Sequence, residues 1–237
     1  MLADDSPGAP IGALTVLHRP AEWLETVVDF VFAQLPRWRD DPARPPATSE
    51  TKLTEQLCRF LESATRHAGL DTISFAVEPH DPKAPGRKID LAFFPRDCVI
   101  NVGGRHHTLY DLLVPIECKR LPTPVRRGKD RRERREYLHT QQKTVGGVQR
   151  FKAGHHGAGF DLGVMIGYVQ TGSIATWRRT IDRWIAVLLR ARILGWAESE
   201  RLETVSDDPL ARIGRSRSRH SRAHSTPVTL HHLWIEM

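Results

Sequence analysis

Apolar and polar positions along the chain fall into two periods. Behind Pro20, residues Trp23, Leu24, Val27, Val28, Phe30, Val31 and Leu35 recur three and four apart, the spacing that lines one face of an α-helix. Pro36 and the stretch 40–46 end that pattern. A second helix starts behind Thr48 or Ser49, either of which can accept from the open amides of a first turn, and runs to about His67. Its apolar face is Leu53, Leu57, Phe60, Leu61 and Ala64, and Gly69 closes it.

The period then shortens to two. Residues 72–78 (TISFAVE), 88–94 (KIDLAFF) and 112–119 (LLVPIECK) read as strands, parted by turns at 82–86 and at Gly103 and Gly104. From 123 to 135 the chain is densely basic, a loop leading into a helix that reaches about Lys152 and breaks at 154–159. Residues 162–169 (LGVMIGYV) are almost wholly apolar, as in a strand buried on both faces. Thr171, Gly172 and Ser173 cap a helix bearing Trp177, Ile181, Trp184, Leu188, Ile193 and Trp196, which read as core or an oligomer interface. Residues 213–224 (IGRSRSRHSRAH) read as a polar connector and 227–235 (PVTLHHLWI) as a last strand. No internal repeat is present. This order predicts an α/β fold with a mixed sheet flanked by helices. Residues 1–46 form an N-terminal helical extension, and 47–237 one domain with a basic loop at 122–136 and a C-terminal helix and strand.

Composition narrows the partners. The chain has 237 residues, 40% of them hydrophobic, and carries 35 Lys plus Arg against 28 Asp plus Glu. A basic balance points to nucleic acid or an anionic membrane surface. The three cysteines, Cys58, Cys98 and Cys118, are far apart and odd in number, against a disulfide framework or a Cys-rich zinc site. Asp4 and Asp5 stand where a signal peptide has its positive region, and no run reaches the ~18 apolar residues of a membrane span. The expectation is a cytoplasmic protein without a membrane partner.

The chemistry lies in two of the strands. One carries Ile89-Asp90-Leu91, the next Ile116-Glu117-Cys118-Lys119. A charge in an apolar strand is costly without a partner or a task. Residues two apart in a strand share a face, so Glu117 and Lys119 do, and a suitable pairing of the strands brings Asp90 to them. Two carboxylates can hold Mg²⁺ through hard oxygen ligands, and the metal polarises a phosphate and acidifies bound water. A lysine can orient or deprotonate that water and offset transition-state charge, and the Cys118 carbonyl can add a further ligand.

Glu50 on the second helix, Asp90, and the Glu117-x-Lys119 pair occur in the order of the PD-(D/E)xK nuclease superfamily, which the chain resembles from Glu50 to Val169. The resemblance implies a restriction-endonuclease-like αβββαβ core. It implies metal ligation by Asp90 and Glu117, and the lysine role for Lys119. The chain departs from the pattern in having Ile89, not Pro, before Asp90. Glu50 is chosen over Glu55 because it falls on the side of Leu53, Leu57 and Leu61. The plainer reading of Glu50 is that it steadies the helix N-terminus through the macrodipole. Gln149 and Arg150 lie where such nucleases often add active-site residues, and Gln149 is taken as one. Their plainer reading is a helix surface, with Val148 and Phe151 packed inward. The histidines His106, His107, His155 and His156 lack a zinc spacing.

Arg126, Arg127, Lys129, Arg131, Arg132, Arg134 and Arg135 follow the Glu-x-Lys strand and are assigned to the nucleic-acid backbone. The expected protein is a Mg²⁺-dependent nuclease, with Mn²⁺ as a substitute metal and DNA favoured over RNA. By analogy it serves as the effector of a prokaryotic restriction or phage-defence system, with a protein partner in a multi-subunit complex or as a homo-oligomer. Two rivals remain. One is a non-catalytic nucleic-acid-binding or assembly subunit that keeps the fold. The other is a peripheral membrane protein using Arg178, Arg179, Arg183, Arg190 and Arg192 on an exposed amphipathic helix.

Overall fold

A computed structural model describes residues 20–83, 86–97, 99–102, 104–123, 135–140, 146–192, 195–223 and 225–237. Helix α1 spans Pro20–Arg39 and α2 spans Glu50–His67. Strands β1 (Ile73–Val77), β2 (Leu91–Pro95), β3 (Ile100–Val102), β4 (Arg105–His107) and β5 (Val114–Leu121) follow. After them come α3 (Gly147–Lys152), β6 (Leu162–Val169), α4 (Ile174–Ala191) and a 3-10 turn at Glu198–Glu200. The chain ends in β7 (Glu203–Asp208), β8 (Ile213–His220) and β9 (Val228–Glu236).

Seven strands form one mixed sheet in the order β1-β2-β5-β6-β9-β8-β7, and β3 and β4 form a separate hairpin. β1, β2 and β5 are antiparallel neighbours. β5, β6 and β9 run parallel, and β8 and β7 return antiparallel at the far edge. The parallel centre is covered on both sides, as parallel sheets require. Cys118, Val164, Ile166, Leu233 and Ile235 pack with α1 and α2 on one face. Leu121, Met165, Leu230 and Trp234 pack with α3 and α4 on the other. Each such side chain, once withdrawn from water, contributes about 1.5–3 kcal/mol.

Three expectations about elements are corrected. α1 runs through Pro36 to Arg39 instead of stopping. Leu35 and Trp38 are buried in the core, and Arg39 Nη1 donates to the Ala211 carbonyl at 2.8 Å, so tertiary contacts hold the last turn. The stretch read as a polar connector contains β8, whose Arg215, Ser216, Ser218 and His220 are buried. Most of their polar groups find partners: Arg215 pairs with Asp29 and with Glu25 of α1, Arg178 of α4 donates to the Ser216 hydroxyl, and the Ser218 hydroxyl lies 2.8 Å from Nε2 of both His220 and His232. β7 has no apolar side chain buried and went unread. It is a charged edge strand, of the kind that deters pairing with other chains. The tryptophan helix ends at Ala191, and Trp196 is buried beyond it.

The membrane-surface rival needs an exposed amphipathic helix. In α4 the apolar residues Ile174, Ile181, Ile185 and Leu188 are buried against the sheet, and Arg178 forms a two-pronged pair with Asp207. Among the described residues, no helix is long and apolar enough to cross a membrane.

Candidate functional site

Strand register brings the acids together. Leu91 pairs with Ile116 and Ala92 with Pro115, so Asp90, just ahead of β2, falls opposite Glu117 on the same face. Lys119 follows two residues later on that face. α2 supplies the fourth member from its first turn, which the Ser49 side chain caps by accepting from the Lys52 amide.

The Lys119 ammonium is the hub. Nζ lies 3.0 Å from Glu117 Oε1, 3.1 Å from Glu50 Oε1 and 3.3 Å from Asp90 Oδ2. It also donates to the Cys118 carbonyl at 2.7 Å. Backbone amides tie down two of the acids: Cys118 N–H donates to Asp90 Oδ2 at 2.8 Å, and Arg120 N–H to Glu50 Oε2 at 3.1 Å. The Cys118 thiol points to the opposite face, where it is buried and its pKa is pushed far up by desolvation.

Two further basic side chains approach Glu117, from α3 and the loop behind it. Arg150 Nη1 donates to Glu117 Oε1 at 2.9 Å. His156 Nδ1 stands 3.2 Å from Glu117 Oε2, yet neither atom completes a directed hydrogen bond, and both are buried. Gln149 does not join them. Its Oε1 accepts from the indole of Trp196 at 3.0 Å within the core packed under α3 and α4, so the helix turns Arg150, not Gln149, to the site. Val148 and Phe151 are buried, as the plainer reading of that helix held. His156, weighed in the sequence only within a zinc cluster and set aside, stands at the site because the loop between Gly154 and Gly157, both with positive φ, turns it to Glu117.

Charge is unevenly balanced. Burial opposes ionisation of Lys119, but Glu117, Asp90 and Glu50 outweigh it, and its pKa stands well above that of a free lysine. Burial also works against Glu117, but Lys119, His156 and Arg150 hold its carboxyl well below the usual range. Asp90 is pushed up to about 6 by burial and then by the Glu117 charge, with Lys119 and the Cys118 amide only partly opposing. Three carboxylates thus share two fixed cations, Lys119 and Arg150. That deficit, with the orphaned Glu117 Oε2, fits a further cation held by hard oxygens. No group of three or more His, Cys, Asp or Glu side chains among the described residues is arranged to hold a metal. The oxygens on offer are two carboxylates and the Cys118 carbonyl, which suits Mg²⁺, an ion that keeps most of its waters.

An open cleft of about 400 Å³ reaches Asp90 and Glu50, with Glu78 and Lys88 on its walls. Glu55 also lines it but makes no contact with Lys119. A larger groove of about 710 Å³ between α1 and α2 touches none of the four central residues. Of the basic run, Arg126, Arg127, Lys129, Arg131, Arg132 and Arg134 lie outside the described residues. Arg135 is half-buried and opens a turn in which its carbonyl accepts from the Leu138 and His139 amides. Comparisons with protein-family models, with characterised proteins and with solved structures returned no match to this chain.

Proposed function

We propose that the chain is a metal-dependent nuclease of the restriction-endonuclease-like kind, hydrolysing phosphodiester bonds at the cluster around Lys119. The observation that carries this reading is the meeting of Glu50, Asp90 and Glu117 on one buried ammonium, with Glu50 and Asp90 also lining an open cleft. Among the described residues the element order α2-β1-β2-β5-α3-β6, with the β3–β4 hairpin inserted before β5, supports the αβββαβ core.

Asp90, Glu117 and the Cys118 carbonyl would hold Mg²⁺, which when bound supplies an acidified water and a Lewis acid for the phosphate. The raised pKa of Lys119 keeps it an ammonium, so it orients water and offsets charge on the phosphoryl oxygens rather than taking a proton. Glu50 holds Lys119 in place from the helix side. Arg150 fixes the rotamer of Glu117 and offsets its charge. The basic composition favours a nucleic acid, taken here as DNA and bound in part by the 122–136 segment. Service as a restriction or phage-defence effector, with a protein partner or a second copy, extends the reading by analogy alone.

The test is incubation of the purified chain with plasmid, linear and single-stranded DNA, and with RNA, in Mg²⁺, Mn²⁺ or EDTA. Cleavage should need metal and should vanish in Lys119→Ala and Asp90→Ala. Only Asp90→Ala should also lose Mg²⁺ affinity in calorimetry, because it deletes a ligand. Nucleic-acid binding without cleavage under any divalent metal would leave the chain a binding subunit.

A further inference from the structure

Beside Glu117 lies a second pocket, of about 270 Å³, lined by Arg87, Lys88, Arg150, His155 and His156. Every lining side chain is basic. The acidic cleft and this basic pocket share Lys88 in their walls, so they adjoin.

The pocket is built, not incidental. Its two halves come from the turn before β2 and from α3 with the loop after it, and two cross-links join them. Asp81, buried, accepts from the Lys83 amide at 2.9 Å and from the Gly157 amide at 3.1 Å. Arg87 Nη1 donates to the His155 carbonyl at 3.0 Å. Gly154 and Gly157 have φ of +68° and +61°, a conformation that favours glycine, and a Cβ on Gly157 would stand 2.9 Å from Pro115 of β5. The loop carrying both histidines is therefore seated against the strand that carries Glu117 and Lys119.

Part of its charge is uncommitted. Arg150 is committed to Glu117, and Lys88 pairs with Glu78 in the open. Among the described residues no carboxylate pairs with Arg87. Burial, then Arg87, His156 and Arg150, lowers the pKa of His155, as a local positive potential does. A planar guanidinium with donors left over from its bond to the His155 carbonyl, sharing a pocket with two imidazoles, matches the oxygens of a phosphate.

We propose that this pocket binds a phosphate of the substrate strand next to the one positioned at Asp90 and Glu117. The identity of the strand rests on the nuclease reading; the anion site rests on its own residues. A backbone spanning both would be held at two successive points, which fixes which bond is presented to the acidic centre.

The test uses the full chain without divalent metal. Inorganic phosphate titrated into ¹⁵N-labelled protein should shift the amides of His155, His156 and Gly157 saturably. Arg87→Gln should weaken that binding about tenfold, the scale of one charge-assisted hydrogen bond, and Arg183→Gln on α4 should not. In a set of oligonucleotides each bearing one methylphosphonate, one position should cost wild type about tenfold in affinity and cost Arg87→Gln almost nothing. Three results would each overturn the proposal. They are phosphate moving none of the three amides, the two arginine variants binding it alike, and methylphosphonate penalties unchanged in Arg87→Gln. Oligonucleotide binding that follows this pattern without any cleavage would support the pocket and sink the nuclease reading alone. Phosphate bound there with no affinity for nucleic acid would overturn the strand as its source.

Discussion

Glu50, at the first turn of α2, and Lys119, in the middle of β5, meet at 3.1 Å although 69 positions separate them. The second oxygen of Glu50 accepts from the Arg120 amide. One side chain thus locks a helix end to the strand and places a carboxylate on the buried ammonium.

Glu50→Gln separates the two readings of that residue. The amide keeps an acceptor for Arg120 N–H and loses the charge. Were Glu50 only a partner of the helix dipole, the change would cost about 0.3–1 kcal/mol and leave cleavage untouched. As a member of the cluster, its loss should lower kcat by about a hundredfold with a similar small change in stability. Single-turnover cleavage and thermal melts of the same samples distinguish the outcomes.

Acid stability should depend on Glu200. Burial pushes its carboxyl up, but the nearby His220, the Lys152 ammonium and the Ser221 amide together bring it down to about 2. A folded pKa below the unfolded value means that the contribution is full above about 4.5 and is lost as pH falls towards about 2. The size is on the order of 3 kcal/mol. Glu200→Gln should flatten the pH dependence of the urea midpoint between pH 5 and pH 2, at about those limits, and lower it at neutral pH by stranding the Lys152 charge. An unaltered profile would show that the pair contributes nothing net.

Asp81→Ala should loosen the loop of His155 and His156 without touching Lys119. It leaves the Gly157 amide without its acceptor, at a cost of about 1–3 kcal/mol. Hydrogen exchange at Gly157 should quicken at least about tenfold, and phosphate affinity should fall with it. Slow exchange retained at Gly157 would mean that Pro115 packing alone seats the loop.

Gly167→Ala should destabilise the sheet centre. Gly167 pairs with Lys119 and Trp234, and a Cβ there would lie 2.4 Å from Trp234 Cδ1. Trp234 is wholly buried, and its indole N–H donates to the Tyr137 hydroxyl, so it has little freedom to yield. The overpacking should cost about 1–3 kcal/mol and lower Tm by several degrees. A variant melting at the wild-type temperature would show that the indole can retreat.

Much of the frame was legible from residues alone. The period of two across Glu117 and Lys119 placed both on one face, and the Ser49 cap and the apolar stripe of α2 turned Glu50 towards the sheet rather than Glu55. The apolar run 162–169 is β6 residue for residue. These readings succeed because burial on a helix or strand has a period, and the period survives in the order of side chains.

Where polar groups are buried, or where a partner comes from a distant element, the order of residues holds no such period. β8 reads as a polar connector because its buried side chains include Arg215, Ser216, Ser218 and His220, and their partners come from α1, α4 and β9. Gln149 and Arg150 are neighbours about 100° apart on α3, and only the packing of Val148, Phe151 and Trp196 decides which of them faces Glu117. His156 and Arg87 reach the site through loops set by the positive φ of Gly157 and by the grip of Asp81. The chain by itself determined the acids, the lysine and the faces they share. Tertiary packing decided which cations complete the site, because a buried charge is stable only where the fold delivers its counter-charge.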